Sequence, residues 1–336
     1  MNEPDSGAAP VESTPLPMPY KDRSVGLIVF GILTILLGCL AGILVLLMLW
    51  SAKFAGASNV QVSRASILPG ASIYGVLAVA LVWLGIGSIL ARRWARALLL
   101  IFSWGCLVMG VVALLFMAFL MPQMMANMSA GGTGGQAAVP AGAMGFAMVI
   151  VGLVFGVFFV ILPAVWVFFY NSRHVKATCE TRDPVTRWTD ACPLPVLGLC
   201  VLLMFSVPMM LLMPIAGLAV MPFFGMFLTG IPGTVFCLAV AAIWGYAAWS
   251  LYKLEQRGWW LIFIALLVYL VSSLLTFARH DVMEMYRLMD FPQEQLDQIQ
   301  KTGLVTGNRM AWMMLLCMAP FLGYLLFIKK YLRRQS

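Results

Sequence analysis

Charged residues are missing from the interiors of eight long apolar stretches in this 336-residue chain. Asp, Glu, Lys and Arg make up only 10% of the residues, and they lie between these stretches or at their ends. A charge inside hydrocarbon is costly, so long apolar stretches without charge are typical of transmembrane helices. The same absence removes the side chains that a proton relay, an ion pathway or an intramembrane catalyst would use. The sequence therefore predicts an architecture but no specific activity.

Histidine and catalytic motifs are also scarce. The chain has two histidines, His174 and His280, and both lie at the edges of loops. Gly-x-Ser-x-Gly, Walker and His-Glu-x-x-His sequences are absent, so intramembrane serine or metal proteolysis lacks its base or its ligands. We expect a protein that is not an enzyme and needs no cofactor. The net charge of +8 is spread over short loops, which argues against a nucleic-acid partner.

Hydrophobic residues make up 62% of the chain, so lipid is the expected surroundings of most of its surface. The predicted spans are 25–50, 72–91, 97–121, 143–170, 196–220, 223–252, 258–279 and 310–328. Each has about the 20 residues that a helix needs to cross a bilayer. The sequence thus predicts an all-α, polytopic transmembrane helix bundle with about eight spans.

Lysine and arginine predict the orientation of this bundle in the membrane. If the N-terminus lies inside, the inner segments hold 15 of the 21 basic residues, and the other six lie outside. The outer six are Lys53, Arg64, Arg279, Arg287, Lys301 and Arg309. Cytoplasmic loops are enriched in such residues, so both termini are predicted to be cytoplasmic.

An internal repeat divides the chain into two parallel units of four spans. The segment Leu77-Ala-Val-Ala-Leu-Val-Trp83 reappears as Leu238-Ala-Val-Ala-Ala-Ile-Trp244, and each copy leads to a short basic turn that carries tryptophan. Pro163 and Pro320 mark matching places in the fourth and eighth spans. Units with an even number of spans face the same way, so an axis along the membrane normal would relate them.

These units resemble a type of uncharacterised bacterial multi-pass membrane protein. The resemblance rests on a Gly-rich hairpin before a Trp-Ala-Arg turn (Trp94–Arg96) and on a span that ends aromatic and then basic, from Phe168 to Lys176. It implies the bacterial inner membrane but no activity. The predicted organisation is a disordered Pro-rich leader (1–24), a first repeat (25–178), a cytoplasmic connector (179–195) and a second repeat (196–336).

The outside segment 280–309 is predicted to be helical. Pro292 suits the first turn of a helix and Gly303 its end. Leu288, Phe291, Leu296 and Ile299 would then form an apolar stripe along that helix. Two interpretations remain open for this stripe: a lid packed on the rest of the protein, and a docking surface for a membrane or periplasmic partner.

Prolines crowd the fifth and sixth predicted spans, at 208, 214, 222 and 232. Broken helices often line transport sites because proline frees a backbone carbonyl. The predicted solute path combines these prolines with nearby polar side chains. Its members are Ser206, Pro208, Pro214, Pro222, Thr229, Pro232, Thr234 and Tyr246.

Two further patterns permit a metal but favour ordinary packing. His174, Cys179 and Cys192 have wider spacing than a structural zinc site prefers. Methionines recur at near-helical spacing from Met117 to Met128; such thioethers select Cu(I), but methionine is also a common apolar gap-filler.

Two classes of function therefore remain. The leading prediction is a non-enzymatic membrane scaffold that binds a partner through its loops; the alternative is a transporter for a neutral or hydrophobic solute. The oligomeric state is not predicted. A cavity between the two halves would favour transport, and a filled interface would favour the scaffold.

Overall fold

A computed structural model of the chain describes residues 20–55, 64–130, 141–289, 291, 293–301 and 307–332. The helices are α1 (Ser24–Ala55), α2 (Arg64–Ile89), α3 (Arg93–Ala130), α4 (Ala141–Gly156), α5 (Leu162–Asn171), α6 (Arg173–Arg182), α7 (Leu194–Ile215), α8 (Gly230–Tyr252), α9 (Gln256–Arg279), α10 (Val282–Leu288), α11 (Gln293–Lys301) and α12 (Gly307–Leu332). A π-helical turn, Val157–Ile161, joins α4 to α5, and a 3₁₀ turn, Trp188–Asp190, precedes α7. Two three-residue strands, β1 (Met221–Phe223) and β2 (Met226–Leu228), pair antiparallel between α7 and α8.

Among the described residues, eight helical stretches of 19 to 28 residues are long and apolar enough to cross a membrane. They are Ser24–Ser51, Gly70–Ile89, Arg93–Ala118, Val149–Asn171, Leu194–Ile215, Gly230–Tyr252, Gln256–Arg279 and Met314–Leu332. The predicted all-α helix bundle with about eight spans is therefore confirmed, and the chain is an integral membrane protein.

Each half of the chain has its own hydrophobic core. In the first half, Leu99, Trp166 and Tyr170 are among the buried side chains that α1, α2, α3, α5 and α6 share. In the second half, α7, α8, α9 and α12 surround residues such as Leu251 and Trp259. A third, smaller cluster of Ala97, Cys192 and Leu197 packs α3 against the start of α7. The two cores therefore meet through a packed contact.

The turns after α2 and α8 have the same backbone hydrogen bonds. Ala91 has a φ of 52°, its N–H donates to the Ser88 carbonyl at 2.9 Å, and the next N–H donates to the Gly87 carbonyl at 2.9 Å. Leu254 has a φ of 62°. Its N–H donates to the Leu251 carbonyl at 2.8 Å, and the Glu255 N–H donates to the Ser250 carbonyl at 3.0 Å. Both are Schellman turns with a side chain where glycine is usual. These turns align Ala91 with Leu254. The match between the two Leu-Ala-Val-Ala segments would instead align Ala91 with the residue two positions before Leu254.

Two of the four predicted proline breaks do not interrupt a helix. Pro208 and Pro214 lie inside α7, and Pro214 is followed by the last residue of that helix, Ile215. Gly217 adopts a φ of 75° there and closes the helix. Pro222 lies in β1, and Pro232 lies in the first turn of α8, where proline is tolerated. The prediction that all four interrupt the fifth and sixth spans is wrong.

The segment 280–309 is also organised differently from the prediction. It contains two short helices, α10 and α11, instead of one, so Leu288 ends one helix while Leu296 and Ile299 belong to the next. Asp281 caps α10 by accepting a hydrogen bond from the Met283 N–H, a local start signal that the single-helix prediction did not include. Pro292 and Gly303 lie outside the described residues.

Contacts gather the segments that were predicted to be cytoplasmic at one end of the bundle, which we call the basic end. The Arg23 N–H donates to Thr178 of α6, Arg92 forms an ion pair with Asp183, and the Tyr252 hydroxyl donates to the Trp188 carbonyl. Residues 20–23, which were assigned to a disordered leader, thus contact α6, whereas residues 1–19 lie outside the described part. The hairpin end, with β1, β2, α10 and α11, lies at the other ends of α7, α8 and α9.

Candidate functional site

The turn of the β-hairpin has an unusual backbone. Phe224 and Gly225 connect β1 to β2 with φ angles of 41° and 92°, as the two central residues of a type I′ turn require. For a bulky side chain such as Phe224 this conformation is strained. Gly225 adopts its positive φ without the strain that a side chain would add.

Side chains on one face of α9 hold this turn. The Phe224 N–H donates to the Ser272 hydroxyl at 2.9 Å, and the Gly225 N–H donates to the Thr276 hydroxyl at 3.0 Å. The Ser272 hydroxyl in turn donates to the Pro222 carbonyl at 3.2 Å. Ser272 and Thr276 are buried, so these bonds are shielded from water. We call Ser272, Thr276 and His280 the hairpin clamp.

His280 links the hairpin to α10. Its Nε2 lies 3.0 Å from the Gly225 carbonyl oxygen, and its Nδ1 lies 2.8 Å from a Glu284 carboxylate oxygen. Both neighbours accept hydrogen bonds when Glu284 is ionised. In a neutral imidazole one ring nitrogen donates a hydrogen bond, and the tautomer decides which of the two oxygens accepts it. The Phe227 ring packs edge-on against the imidazole, with the ring centroids 5.6 Å apart.

The clamp leaves apolar side chains of the hairpin at the surface. Phe223, Phe224 and Met226 are 36%, 46% and 56% exposed, and Leu288 at the end of α10 is 44% exposed. They lie beyond the end of the span that finishes at Ile215. The hairpin end thus presents an apolar surface on a backbone that α9 fixes.

The residues of the predicted solute path have different surroundings in the structure. Pro208, Thr229, Pro232 and Tyr246 are exposed, and Pro222 is buried under the clamp. The Ser206 and Thr234 hydroxyls donate to carbonyls of their own helices, at 2.8 and 2.9 Å. An open apolar depression of about 450 Å³ lies along α2 from Gly75 to Trp83, and none of the eight residues lines it.

The predicted partner surface is only partly available. Leu296 is buried, and Phe291 packs edge-on against Tyr286 with the ring centroids 5.4 Å apart. Ile299 is half-buried, which leaves Leu288 as the exposed member. This arrangement fits a packed lid for α11. The sequence analysis did not include Ser272, Thr276 and His280, although their spacing of four residues along the seventh span and just past its end could have drawn attention to them.

The residues considered for metals are separated or not described. Cys179 belongs to the core of the first half, Cys192 belongs to the cluster between the halves, and burial raises the pKa of each thiol to about 11. His174 is exposed and accepts a hydrogen bond from the Lys21 N–H. Over the described ranges, no group of three or more His, Cys, Asp or Glu could hold a metal ion. The side chains of Met121, Met124, Met125 and Met128 lie outside the described residues.

A second polar cluster joins the connector to α3 at the basic end. The Asp183 side chain is 2% exposed and accepts hydrogen bonds from Arg187 at 2.9 and 3.3 Å, while Arg92 lies 3.5 Å away. The Arg187 guanidinium holds the pKa of Asp183 below its ordinary value of 3.8. Every cation in this cluster points at a carboxylate, so the arrangement is typical of a structural tie.

Comparison with known proteins adds no functional assignment. No family model, curated protein or solved structure matches the chain.

Proposed function

We propose that the protein is a non-enzymatic scaffold of the bacterial inner membrane and that its hairpin end binds a membrane or periplasmic protein. The observation that carries this proposal is the backbone of Phe224. A bulky residue in the left-handed region costs about 1–3 kcal/mol. Ser272 and Thr276 of α9, with His280 just after that helix, hold the turn, and the aromatic side chains remain exposed. A rigid apolar surface binds a partner with little loss of conformational entropy.

The contact between the halves supports a scaffold more than a transporter. At the basic end, Ala97, Cys192 and Leu197 are at most 6% exposed and fill the space between α3 and α7. In the predicted solute path, Pro208, Thr229, Pro232 and Tyr246 are exposed, Ser206 and Thr234 bond to their own helices, and Pro222 is buried under the hairpin. Transport of a neutral or hydrophobic solute stays a competing prediction.

The two halves are further proposed to be a duplicated unit of four spans, with both termini in the cytoplasm. The matching Schellman turns support the duplication. A Cβ on Gly87 would lie 2.6 Å from the Ala95 Cβ, and a Cβ on Gly258 would lie 3.0 Å from the Ser250 Cβ. In each half, the two helices that flank the turn thus meet through a glycine and a small residue, at the same distance from the turn.

Crosslinking in living cells tests the scaffold proposal. A photo-reactive residue at Met226 is expected to capture a specific protein. Ser272→Ala and Thr276→Val each remove one hydrogen-bond acceptor for the turn, a loss of about 1 kcal/mol. We therefore expect each variant to lower the crosslinking yield about fivefold. The measurement is the yield of the protein adduct at equal expression.

Ser206→Ala and Thr234→Val are the matched controls, because these hydroxyls bond only to their own helices. They should leave the adduct unchanged. Adducts with lipid alone, or equal yields in the clamp variants and the controls, would contradict the proposal. Altered solute flux for Pro214→Ala in proteoliposomes, with crosslinking unchanged, would favour transport instead.

A further inference from the structure

Four cations at the basic end of the second half have no carboxylate partner in the described part of the chain. We call Lys253, Arg257, Lys329 and Lys330 the second-half rim. Five ion pairs at the same end instead join first-half and connector cations to carboxylates. These cations are Arg92, Arg93, Lys176, Arg182 and Arg187. The second-half rim therefore carries positive charge that no carboxylate of the described residues pairs.

Lys329 is held in place by two tryptophan rings. Its Nζ lies 4.4 Å from the centroid of the Trp259 ring and 4.7 Å from that of Trp260. The Trp259 indole N–H donates to the Leu325 carbonyl at 2.7 Å, which fixes the ring between α9 and α12. The ring faces attract the ammonium group but provide no acceptor oxygen. The Lys329 ammonium group therefore keeps N–H donors that can bind an anion, and the two rings already hold it in place.

The other lysines of the rim also lie on aromatic faces. Lys253 Nζ is 3.7 Å from the centroid of the Trp249 ring, and Lys330 Nζ is 3.7 Å from that of Phe327. All these residues lie near the ends of the spans that finish or begin at Tyr252, Gln256 and Leu332. Tryptophan with lysine at a span end is typical of the boundary between hydrocarbon and headgroups.

We propose that the second-half rim binds the phosphate of an anionic phospholipid headgroup, with Lys329 as its main contact. A recess of about 10 Å³ among Gln256, Trp259, Trp260, Lys329 and Leu332 lies beside the ammonium group and has room for an oxygen-sized group. Toward the helix ends, the rim provides unpaired charge beside this recess. Along the spans themselves, the exposed side chains of Ile264 and Phe327 provide an apolar surface for acyl chains. A lipid matches both parts, whereas a soluble anion matches only the first. This inference is independent of the proposed function.

Lipid binding by the purified, full-length protein tests this site. The probe is phosphatidylglycerol, presented in nanodiscs with phosphatidylcholine, and the readout is the ratio of the two lipids that stays bound in native mass spectrometry. One lysine near an anionic surface contributes enough that Lys329→Gln should lower the affinity for phosphatidylglycerol about fivefold. Lys329→Arg should retain most of the binding. The Lys253→Gln/Lys329→Gln double variant should lose about 25-fold.

Lys176→Gln is the matched control, because it removes one cation from the same end but from an existing pair with Glu180. It should bind phosphatidylglycerol like the wild type. Equal lipid ratios in Lys329→Gln, the double variant and the wild type would overturn the proposal. Inorganic phosphate that protects the detergent-solubilised protein as well as the lipid does would also overturn it. If Lys329→Gln does not fold, Lys253→Gln alone gives the same comparison.

Discussion

At the scale of single residues, a buried carboxylate ties the connector to the first half. Asp183 follows α6, accepts hydrogen bonds from Arg187 in the connector, and lies 3.4 Å from the Arg93 N–H at the start of α3. The Coulomb attraction of Arg92 adds to these bonds. A buried carboxylate is stable only with such donors, so the loss of either the carboxylate or its donors destabilises the protein.

We expect Asp183→Asn to destabilise the protein by about 1.5–3 kcal/mol at neutral pH, because hydrogen bonds to a charged group are lost. The thermal midpoint in detergent measures this loss. Glu180→Gln, which removes an exposed carboxylate from a pair with Lys176, should cost much less. Equal midpoints for the two variants would show that Asp183 does not tie the connector to α3.

The pH dependence of stability gives a separate test of Asp183. Its pKa in the folded protein lies below the ordinary value of 3.8, so the folded state holds the deprotonated form more strongly than the unfolded state does. The stabilisation is therefore complete above 3.8 and is lost as the pH falls toward the folded pKa. The difference in midpoint between wild type and Asp183→Asn should shrink over that acidic range. A difference that stays constant would exclude this cause.

At the scale of elements, the fourth span shows how a proline changes a helix contact. Pro163 has no N–H, so it cannot bond to the Phe159 carbonyl four residues earlier. The chain forms a π turn just before it, where the Leu162 N–H bonds to the Val157 carbonyl. The Phe159 carbonyl faces Gly110 of α3, and a Cβ there would lie 2.1 Å from the oxygen. Close approach of α3 to this turn therefore requires glycine.

Gly110→Val is expected to separate α3 from the π turn and to destabilise the protein by about 1–3 kcal/mol. Gly105→Val is the control in the same helix, since a Cβ at Gly105 would meet nothing within 4 Å. Both variants gain the same helix propensity, so their difference isolates the contact. Denaturation in detergent mixtures measures it, and equal stability of the two variants would show that the close approach is not needed.

At the scale of the whole molecule, charge separates the two ends of the bundle. Arg92, Arg93, Arg96, Lys253 and Lys329 are among the cations gathered at the basic end by packing between helices. The hairpin end instead carries exposed aromatic side chains. If the basic end is cytoplasmic, as lysine and arginine predict, the hairpin faces the opposite side of the membrane.

Labelling with a membrane-impermeant maleimide tests this orientation. A cysteine introduced at Met226, on the hairpin, should react in intact cells. A cysteine at Val185, which is exposed in the connector, should react only after the cells are permeabilised. Wild-type protein with its own thiols gives the background signal. Reaction of the Val185 position in intact cells would reverse the proposed topology.

The sequence by itself determined the number of spans and which segments gather at each end. Apolar length and the placement of charge decide which segments enter lipid, and both can be counted along the chain. The end of α7 and the start of α8 were predicted less well, because residues 216–229 are apolar enough to resemble a membrane span. Gly217, Pro222 and Gly225 in fact favour a turn and a hairpin in that region.

Only the tertiary structure brought the candidate site together. Ser272, Thr276 and His280 follow the hairpin turn by about 50 residues, and they meet it because α9 packs beside β1 and β2. In the same way, Trp259 and Lys329 form one site because α9 and α12 share a core. Hydrophobicity and charge act on each segment separately, whereas hydrogen bonds and cation–π contacts between distant segments depend on how the helices pack.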